Sequence, residues 1–147
     1  MENSALSDDE LFEALDGVGL GAWVRANAQG LDMPIQGNAS LSGGQRQAIG
    51  LARLLLLDPP IVLLDEPTAA FDQTSELHVV EYLRNWLAGR TLVLVTHKRT
   101  MLELVDRAIV MQSGRVIMDG ALDQIVQDNQ VQSPLASNGV NEVKHGG

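Results

Sequence analysis

The sequence predicts an α/β fold that contains a parallel sheet. Two short runs, Ile61–Leu64 and Thr91–Val95, are almost entirely aliphatic, which is typical of strands covered on both faces in a parallel sheet. A helix is predicted between them, because Asp72 can cap its start and Gly89 can end it. A strand, a crossover helix and a second strand make a parallel pair, so α/β is the expected fold class.

Three helices are predicted before the first strand. Ser7 and Glu10 have the spacing of a capping box, so a helix should begin there and end within the glycine-rich run 17–21. A short helix over residues 22–29 and a long one over residues 42–57 should follow. Two prolines stop the last helix, because proline lacks a backbone donor and restricts the residue before it.

The elements after the first strand are predicted from the same signals. The apolar stripe of the helix that Asp72 caps should consist of Leu77, Val80, Leu83 and Leu87. Beyond the second strand, apolar spacing and a Ser-Gly turn predict a helix over 101–105, strands over 107–111 and 116–118, and a helix over 121–128.

Length and composition allow one core and exclude several classes of function. The chain has 147 residues, of which 45% are hydrophobic, enough for one domain, and its polar end (129–147) is predicted to be disordered. A net charge of −9 argues against a nucleic-acid partner, since phosphate binding needs clustered Lys and Arg. The absence of cysteine excludes a disulfide scaffold, and the three histidines lack metal-ligand spacing. No apolar run approaches the ~18–20 residues of a membrane span, so the chain itself should carry no transmembrane segment.

Residues 41–47, Leu-Ser-Gly-Gly-Gln-Arg-Gln, combine a turn with a helix start. Ser42 can cap the helix, and the two glycines let the backbone approach a ligand closely, with free helix amides available for phosphate. A simple capped helix start after a loop is the alternative interpretation, and the motif alone does not exclude it.

Residues 61–67, Ile-Val-Leu-Leu-Asp-Glu-Pro, end an apolar strand in two adjacent acids. Asp65 and Glu66 could simply form a turn, but two charges beside a buried strand are costly unless they serve a purpose. Adjacent acids after a buried strand suit the hydrolysis of a magnesium nucleotide.

Residues 17–22, Gly-Val-Gly-Leu-Gly-Ala, fit the glycine pattern of dinucleotide-binding proteins. That fingerprint needs a preceding strand and an acid about 20 residues later. A capped helix precedes the run here, so we do not interpret it as a dinucleotide site.

In this order and spacing, residues 41–47 and 61–67 resemble the signature and Walker B motifs of ATP-binding cassette (ABC) ATPases. The resemblance continues through Thr68–Asp72 and Thr96-His97 and covers roughly residues 4–128. It implies a partial ABC nucleotide-binding domain of the α/β class. A helical subdomain (1–57) would precede the C-terminal half of the parallel-sheet core (58–128).

The resemblance also implies roles for the residues at the strand ends. Asp65 would belong to the Mg²⁺ shell, and Glu66 would be the base that positions the attacking water. His97 would be the switch histidine, which senses the γ-phosphate of ATP.

A second group of roles implied by the resemblance concerns a dimer. The signature would contact the γ-phosphate of an ATP molecule held by a second ABC ATPase domain in a head-to-tail dimer, with Asp72 at the interface. The signature residues expected to touch nucleotide are Ser42, Gly43, Gly44 and Gln45. ATP and Mg²⁺ are therefore the expected cofactors.

The 147 residues contain no G-x-x-x-x-G-K-[ST] run, the Walker A motif that cradles phosphates. Without that loop ATP cannot be held in cis, so we expect a C-terminal fragment that is inactive alone. Two hypotheses stay open. The chain is either part of an ATP-hydrolysing exporter or a non-catalytic interaction module that lends its signature to a partner ATPase.

Three further runs narrow the resemblance to exporters of the type I protein secretion kind: residues 30–35, 58–60 and 104–107. Such ATPases work with a transmembrane transporter domain or subunit. That partner would place the chain at the cytoplasmic face of the cell membrane.

Overall fold

The computed structural model describes residues 6–35 and 41–132. Within these ranges its elements are α1 (Asp8–Gly17), α2 (Gly21–Ala26), a 3₁₀ turn (Gly30–Asp32), α3 (Gly43–Leu57), β1 (Ile61–Asp65), α4 (Gln73–Trp86), β2 (Thr91–Val95), a 3₁₀ segment (Arg99–Leu104), β3 (Arg107–Gln112), β4 (Arg115–Ala121) and α5 (Leu122–Gln132). The start of the resemblance near residue 4 and most of the predicted disordered tail, residues 133–147, lie outside the described residues.

The predicted α/β fold with a parallel sheet is confirmed. β1 pairs with β2 in parallel, with Ile61 opposite Thr91 and Asp65 opposite Val95. One face of the pair packs on the helices. The core of this face and of the helices against it consists of Ala14, Val18, Leu20, Ala48, Leu51, Ala52, Leu55, Val62, Leu64, Val79 and Leu83.

On the opposite face of the β1–β2 pair, the described aliphatic side chains are largely exposed. Ile61, Leu63, Val93 and Val95 lie on it with exposures of 61%, 73%, 50% and 58%. We call these four side chains the open sheet face. The expectation that both strands are covered on both sides therefore holds for one side only within the described part of the chain.

The helix caps form as the sequence predicts. Ser7 and Glu10 make a reciprocal capping box at the start of α1, with the Glu10 amide donating to Ser7 Oγ at 3.3 Å and the Ser7 amide donating to Glu10 Oε2 at 2.8 Å. At the start of α4, Asp72 Oδ1 accepts a hydrogen bond from the Ser75 amide at 2.9 Å. Each cap joins residues three apart, so its signal is local.

Several predicted helix details are wrong. Leu77 is 48% exposed, and Val79 is buried in its place, because the face of α4 that meets the core follows the spacing of Glu76, Val79, Val80 and Leu83. α4 ends at Trp86, before the predicted Gly89. The helix expected over 22–29 ends at Ala26, and the one expected over 101–105 is a 3₁₀ segment one to two residues earlier.

The contacts divide the chain into two compact units, Met1–Val105 and Asp106–Gly147. In the second unit β3 and β4 form an antiparallel hairpin, whose turn has positive φ at Ser113 (50°) and Gly114 (74°). That conformation matches the right-handed twist of the flanking strands. Both strands are longer than predicted. A bidentate ion pair joins them, in which Arg107 donates two hydrogen bonds of 2.8 Å to the carboxylate of Asp119.

The predicted domain boundaries stay predictions, and two observations bear on them. α5 continues to Gln132, so the segment expected to be disordered from residue 129 begins with helix. The predicted subdivision at residues 57 and 58 does not separate compact units, because α3 and β1 share one core. The assignment of 1–57 and 58–128 as functional subdomains stays a prediction.

We predict that the open sheet face makes this 147-residue chain self-associate. Full burial of one such aliphatic side chain is favourable by ~1.5–3 kcal/mol. The four exposed side chains form one contiguous face across two strands, so association would bury them together. A Leu63→Thr/Val93→Thr variant should shift the chain toward monomer in sedimentation velocity.

The matched control is Val62→Thr, which makes the same kind of change on the buried face of β1, where Val62 is 1% exposed. It should lower the free energy of unfolding by on the order of 1–3 kcal/mol and should not restore a monomer. A wild-type chain that is monomeric and melts cooperatively would contradict the prediction.

Candidate functional site

The parallel register of β1 and β2 brings predicted site residues together at one edge of the sheet. Asp65 pairs with Val95, so the residues that follow each strand, Glu66 and Thr96-His97, leave the sheet side by side. His97 Nδ1 lies 2.7 Å from Glu66 Oε1, and the Thr96 hydroxyl lies 3.4 Å from Glu66 Oε2. The structure thus pairs two of the residues predicted to act in catalysis.

Hydrogen bonding keeps the Glu66 side chain ionised. The bond from His97 lowers the pKa of Glu66 below its ordinary value, against a smaller opposing effect of burial, and the bond from Thr96 adds to the lowering. At neutral pH Glu66 is therefore a carboxylate that can accept a hydrogen bond.

The backbone of Glu66 adopts a left-handed conformation, with φ at 44°. Non-glycine residues rarely take this conformation, and at functional sites it persists where surrounding contacts hold it. The Glu66 amide donates to the carbonyl of Val95 at 2.9 Å. The Glu66 carbonyl accepts from the Ala69 amide at 3.1 Å and from Gln47 Nε2 at 2.9 Å.

Asp65 lies beside this pair as an exposed carboxylate at the end of β1. No group of three or more metal-binding side chains occurs among the described residues. Magnesium in nucleotide sites takes one or two carboxylates and fills its other positions with phosphate oxygens and water. The donor set at Asp65 fits that kind of site and does not fit a metal centre built from protein ligands alone.

The start of α3 forms the second part of the candidate site. Ser42 and Gln45 make a reciprocal capping box, in which the Gln45 amide donates to Ser42 Oγ at 3.1 Å and the Ser42 amide donates to Gln45 Oε1 at 2.9 Å. The cap satisfies the Gln45 amide, and the amides of Gly43 and Gly44 belong to the first turn, where N–H groups have no partner within the helix itself.

Gly44 also has a packing role that the sequence did not indicate. A Cβ atom at Gly44 would lie 3.0 Å from the carbonyl oxygen of Ala70, a tight contact that would require the loop to move by a few tenths of an ångström. The absence of a side chain therefore lets α3 approach the loop after β1. Helix packing therefore favours glycine at this position.

A pocket of about 340 Å³ opens at the start of α3. It is lined by residues of the α1–α2 turn, by the predicted signature residues, and by the loop that leads to α4: Val18, Gly19, Leu20, Ser42, Gly43, Gly44, Gln45, Ala48, Ala70, Phe71, Asp72 and Ser75. Hydrogen bonds from Ser75 hold the pKa of Asp72 below its ordinary value, so a carboxylate lies at the rim.

The predicted site residues therefore fall into two groups. Ser42, Gly43, Gly44, Gln45 and Asp72 line the pocket. Asp65, Glu66 and His97 lie at the sheet edge and are not among the residues that line it. This separation is the arrangement expected if the two groups serve different nucleotide molecules.

The structure adds a buried polar cluster that sequence analysis missed. Glu76, on the core side of α4, is 6% exposed and forms an ion pair with Lys98. Its carboxylate also accepts hydrogen bonds from Thr100 and, at 3.2 Å, from the hydroxyl of Thr68. Lys98 Nζ donates in addition to the Thr68 carbonyl at 2.6 Å. The cluster thus links the loop after β1 to the loop after β2.

A signal for this cluster exists in the sequence. Glu76 stands three and four residues before Val79 and Val80, so a charged residue occupies the buried face of an amphipathic helix. Such a residue needs a buried partner. The pattern does not identify that partner, because the chain has two lysines and eight arginines.

Comparison with known proteins identifies the family. The model of the ABC transporter family matches residues 3–69. The chain is 43% identical over 121 residues to the ATP-dependent lipid A-core flippase of Neisseria gonorrhoeae, a match that covers 82% of this chain and 20% of the flippase. The chain belongs to the ABC transporter family. The resemblance seen in residues 41–47 and 61–67 is confirmed.

Other members of the family match over the same region. An uncharacterized ABC transporter ATP-binding protein of Bacillus subtilis is 37% identical over 88% of this chain and 22% of its own length. The solved structure of a bacterial Atm1-family ABC exporter with ATP bound superposes with a TM-score of 0.77 at 27% identity, over 84% of this chain and 22% of that chain. The chain spans about a fifth of the length of the curated relatives it matches.

We predict that Glu76→Gln destabilises the fold. Lys98 would lose its ion-pair partner in a largely buried position, which costs on the order of 3 kcal/mol. Glu103→Gln is the matched control, because its partner Arg84 and its own side chain are both exposed, and such pairs contribute little. Urea unfolding of a monomeric form of the chain measures the change in the free energy of unfolding for both variants.

The same experiment has a pH dependence. Burial by itself would raise the pKa of Glu76, but hydrogen bonds from Lys98 and Thr100 outweigh it and lower the pKa. Because the folded-state pKa is lowered, the ionised Glu76 side chain adds to the free energy of unfolding. This contribution is complete above the ordinary pKa of 4.5 and is lost as the pH falls through the folded-state value. A stability difference between wild type and Glu76→Gln that does not shrink in acid would contradict this assignment.

Proposed function

We propose that this chain is part of the ATP-hydrolysing domain of an ABC exporter and that Glu66 positions the attacking water. The observation that carries the proposal is the 2.7 Å contact between Glu66 and His97 at the end of the parallel strands. An ionised carboxylate at this place can accept a hydrogen bond from a water molecule. That bond orients the oxygen of the water toward a phosphorus atom. The membership of the family supports ATP as the substrate.

The residues around Glu66 have distinct proposed tasks. His97 holds one oxygen of the Glu66 carboxylate and, at 76% side-chain exposure, leaves its other ring nitrogen accessible to a γ-phosphate. Asp65 supplies a carboxylate to Mg²⁺, which would neutralise charge on the phosphates when bound. The lowered pKa of Glu66 favours orientation of the water over strong proton abstraction.

The pocket at the start of α3 has a separate proposed task. A second ABC ATPase domain in a head-to-tail dimer would hold ATP against this pocket. The γ-phosphate of that ATP would be contacted by Ser42, Gln45 and the first-turn amides of Gly43 and Gly44. Asp72, at the rim of the same pocket, would lie at the dimer interface. The separation of the pocket from the sheet edge supports this division of work.

ATP hydrolysis by this chain requires a phosphate-binding loop from outside the 147 residues, since they contain no Walker A motif. We therefore propose that the chain alone is inactive. Among the described residues no helix is both long and apolar enough to cross a bilayer. A transmembrane domain or subunit would hold the chain at the cytoplasmic face of the membrane. A relative named as a flippase and a matching structure titled as an exporter support this proposal.

We predict that Glu66→Gln abolishes most ATP hydrolysis in an assembly that includes the phosphate-binding half. Gln keeps the shape of the side chain but loses the carboxylate charge, so kcat should fall by roughly 10²–10⁴-fold. ATP binding should survive, and ATP-bound dimers should accumulate. A phosphate-release assay and size-exclusion chromatography with ATP measure the two effects.

Two controls accompany this test. Glu13→Gln changes an exposed acid of α1 and should leave the rate unchanged. The 147-residue chain alone should show neither turnover nor ATP binding by calorimetry at millimolar nucleotide. A Glu66→Gln assembly that turns over ATP at the wild-type rate would exclude Glu66 as the base. If only a separate, complete ATPase gains activity from this chain, the interaction-module hypothesis is favoured.

A narrower proposal concerns what is exported. Residues 30–35, 58–60 and 104–107 resemble ATPases of type I protein secretion, whereas relatives with named cargo include a lipid A-core flippase and a glutathione/L-cysteine transport system of Haemophilus influenzae. We predict that an unfolded secretion polypeptide stimulates ATP hydrolysis by the assembled exporter more than lipid A or glutathione does. Stimulation by lipid A or glutathione alone would exclude the type I assignment.

A further inference from the structure

Gln47 connects the start of α3 to both sides of the loop that follows β1. Its Nε2 donates to the carbonyl of Glu66 at 2.9 Å, and its Oε1 accepts from the amide of Ala70 at 2.8 Å. The side chain is partly buried, and it spans 19 and 23 residues of sequence to reach the two partners. One carboxamide therefore forms hydrogen bonds with two backbone groups of the same loop.

Glu66 needs such support because its backbone is left-handed. Non-glycine residues pay a free-energy cost in this conformation, so it persists only where contacts outweigh the alternatives. Between described residues, three backbone-directed hydrogen bonds do so: one from the Glu66 amide and two to its carbonyl. Of the three, only the bond from Gln47 comes from a side chain, and only it comes from α3.

Resting on the proposed role of Glu66, we infer that Gln47 is a positioning residue for ATP hydrolysis. It holds the Glu66 backbone in the left-handed conformation that directs the carboxylate to His97. Gln47 does not touch the reacting atoms in this arrangement. It acts through the Glu66 peptide and through the Ala70 end of the loop.

The chemistry of the position requires an amide. The Glu66 carbonyl needs a donor and the Ala70 amide needs an acceptor, and a carboxamide of this length supplies both. A carboxylate would lose the donor, and a thioether of similar length would lose both groups.

The same contact ties Glu66 to the pocket. Gln47 is the fifth residue of α3, one turn beyond the glycines that line the pocket. A displacement of the start of α3 would therefore reach the Glu66 carbonyl through one side chain. The orientation of the carboxylate at the sheet edge depends on the position of the signature helix.

The test compares Gln47→Met with wild type in two measurements. In the assembled ATPase, kcat should fall by about 10- to 100-fold while KM for ATP stays within about twofold, because a displaced carboxylate lowers the rate without removing a nucleotide contact. In the 147-residue chain without nucleotide, amide hydrogen exchange at Ala69 and Ala70 should become about fivefold faster. The Ala69 amide binds the Glu66 carbonyl and not Gln47, so it reports the conformation of Glu66 itself.

Two further variants separate positioning from general stability. Gln47→Glu keeps the acceptor for Ala70 and loses the donor to Glu66, so Ala70 should stay protected while Ala69 exchanges faster and kcat falls. Gln127→Met makes the matched chemical change at an exposed position of α5 and should leave kcat and both exchange rates unchanged.

The outcomes distinguish this inference from the proposed function. If Gln47→Met leaves kcat unchanged, or lowers it with no change in exchange at Ala69, the positioning role is overturned. If it raises KM and leaves kcat unchanged, Gln47 acts in nucleotide binding and the inference is again overturned. If the wild-type assembly hydrolyses no ATP, the proposed function fails, and unchanged exchange at Ala69 would separately overturn the structural role of Gln47.

Discussion

The parallel register between β1 and β2 is the constraint on which the candidate catalytic edge depends. Pairing of Asp65 with Val95 fixes where both chains leave the sheet, and the residues that matter follow within two positions. A shift of one residue would turn the side chains of one strand to the opposite face and would separate Glu66 from His97. The buried face enforces the register, because Val62 and Leu64 must enter the core with α1, α3 and α4.

The strand register alone does not define the conformation of the loops that follow the strands. Polar side chains from the helices define it. Gln47 of α3 binds both ends of the loop after β1, and Glu76 of α4 joins that loop to Lys98 in the loop after β2. Among the described residues no buried side-chain nitrogen or oxygen lacks a hydrogen-bond partner. Fully satisfied buried networks are rigid, since breaking any member leaves a polar group without a partner. The helices thus supply both the apolar cover of the sheet and the polar restraints on its functional edge.

The sequence predicted those parts of the fold whose signals are local. Caps at Ser7, Ser42 and Asp72 join residues three apart, and the aliphatic strands and the Ser113-Gly114 turn lie within short windows. The motif residues of the site were also found, because their spacing along the chain is itself the signal. Whether Asp65, Glu66, His97 and the signature residues have the proposed roles stays a prediction.

The restraints that sequence analysis missed are long-range. Gln47 reaches Glu66 across 19 residues, and Lys98 reaches Glu76 across 22. A glutamine in a helix start or a lysine after a strand has many surface uses, so neither type predicts its partner. The left-handed backbone of Glu66 was equally hidden, because it results from contacts and not from residue preference. The exposure of Leu77 shows the same limit, since which side of α4 meets the core depends on how the helix packs.

The first unit presents two surfaces besides its core, the open sheet face and the pocket at the start of α3. The first unit has a complete core on one side of β1 and β2, which is enough to set the geometry of Glu66 and His97. Its other side presents Ile61, Leu63, Val93 and Val95, an apolar surface of the kind that further sheet or helix covers. The pocket at the start of α3 offers backbone amides and a carboxylate at its rim, yet no lysine lies in its lining. The chain thus fixes the positions of the residues proposed to act on water and on a neighbouring nucleotide, at two separate places in the first unit.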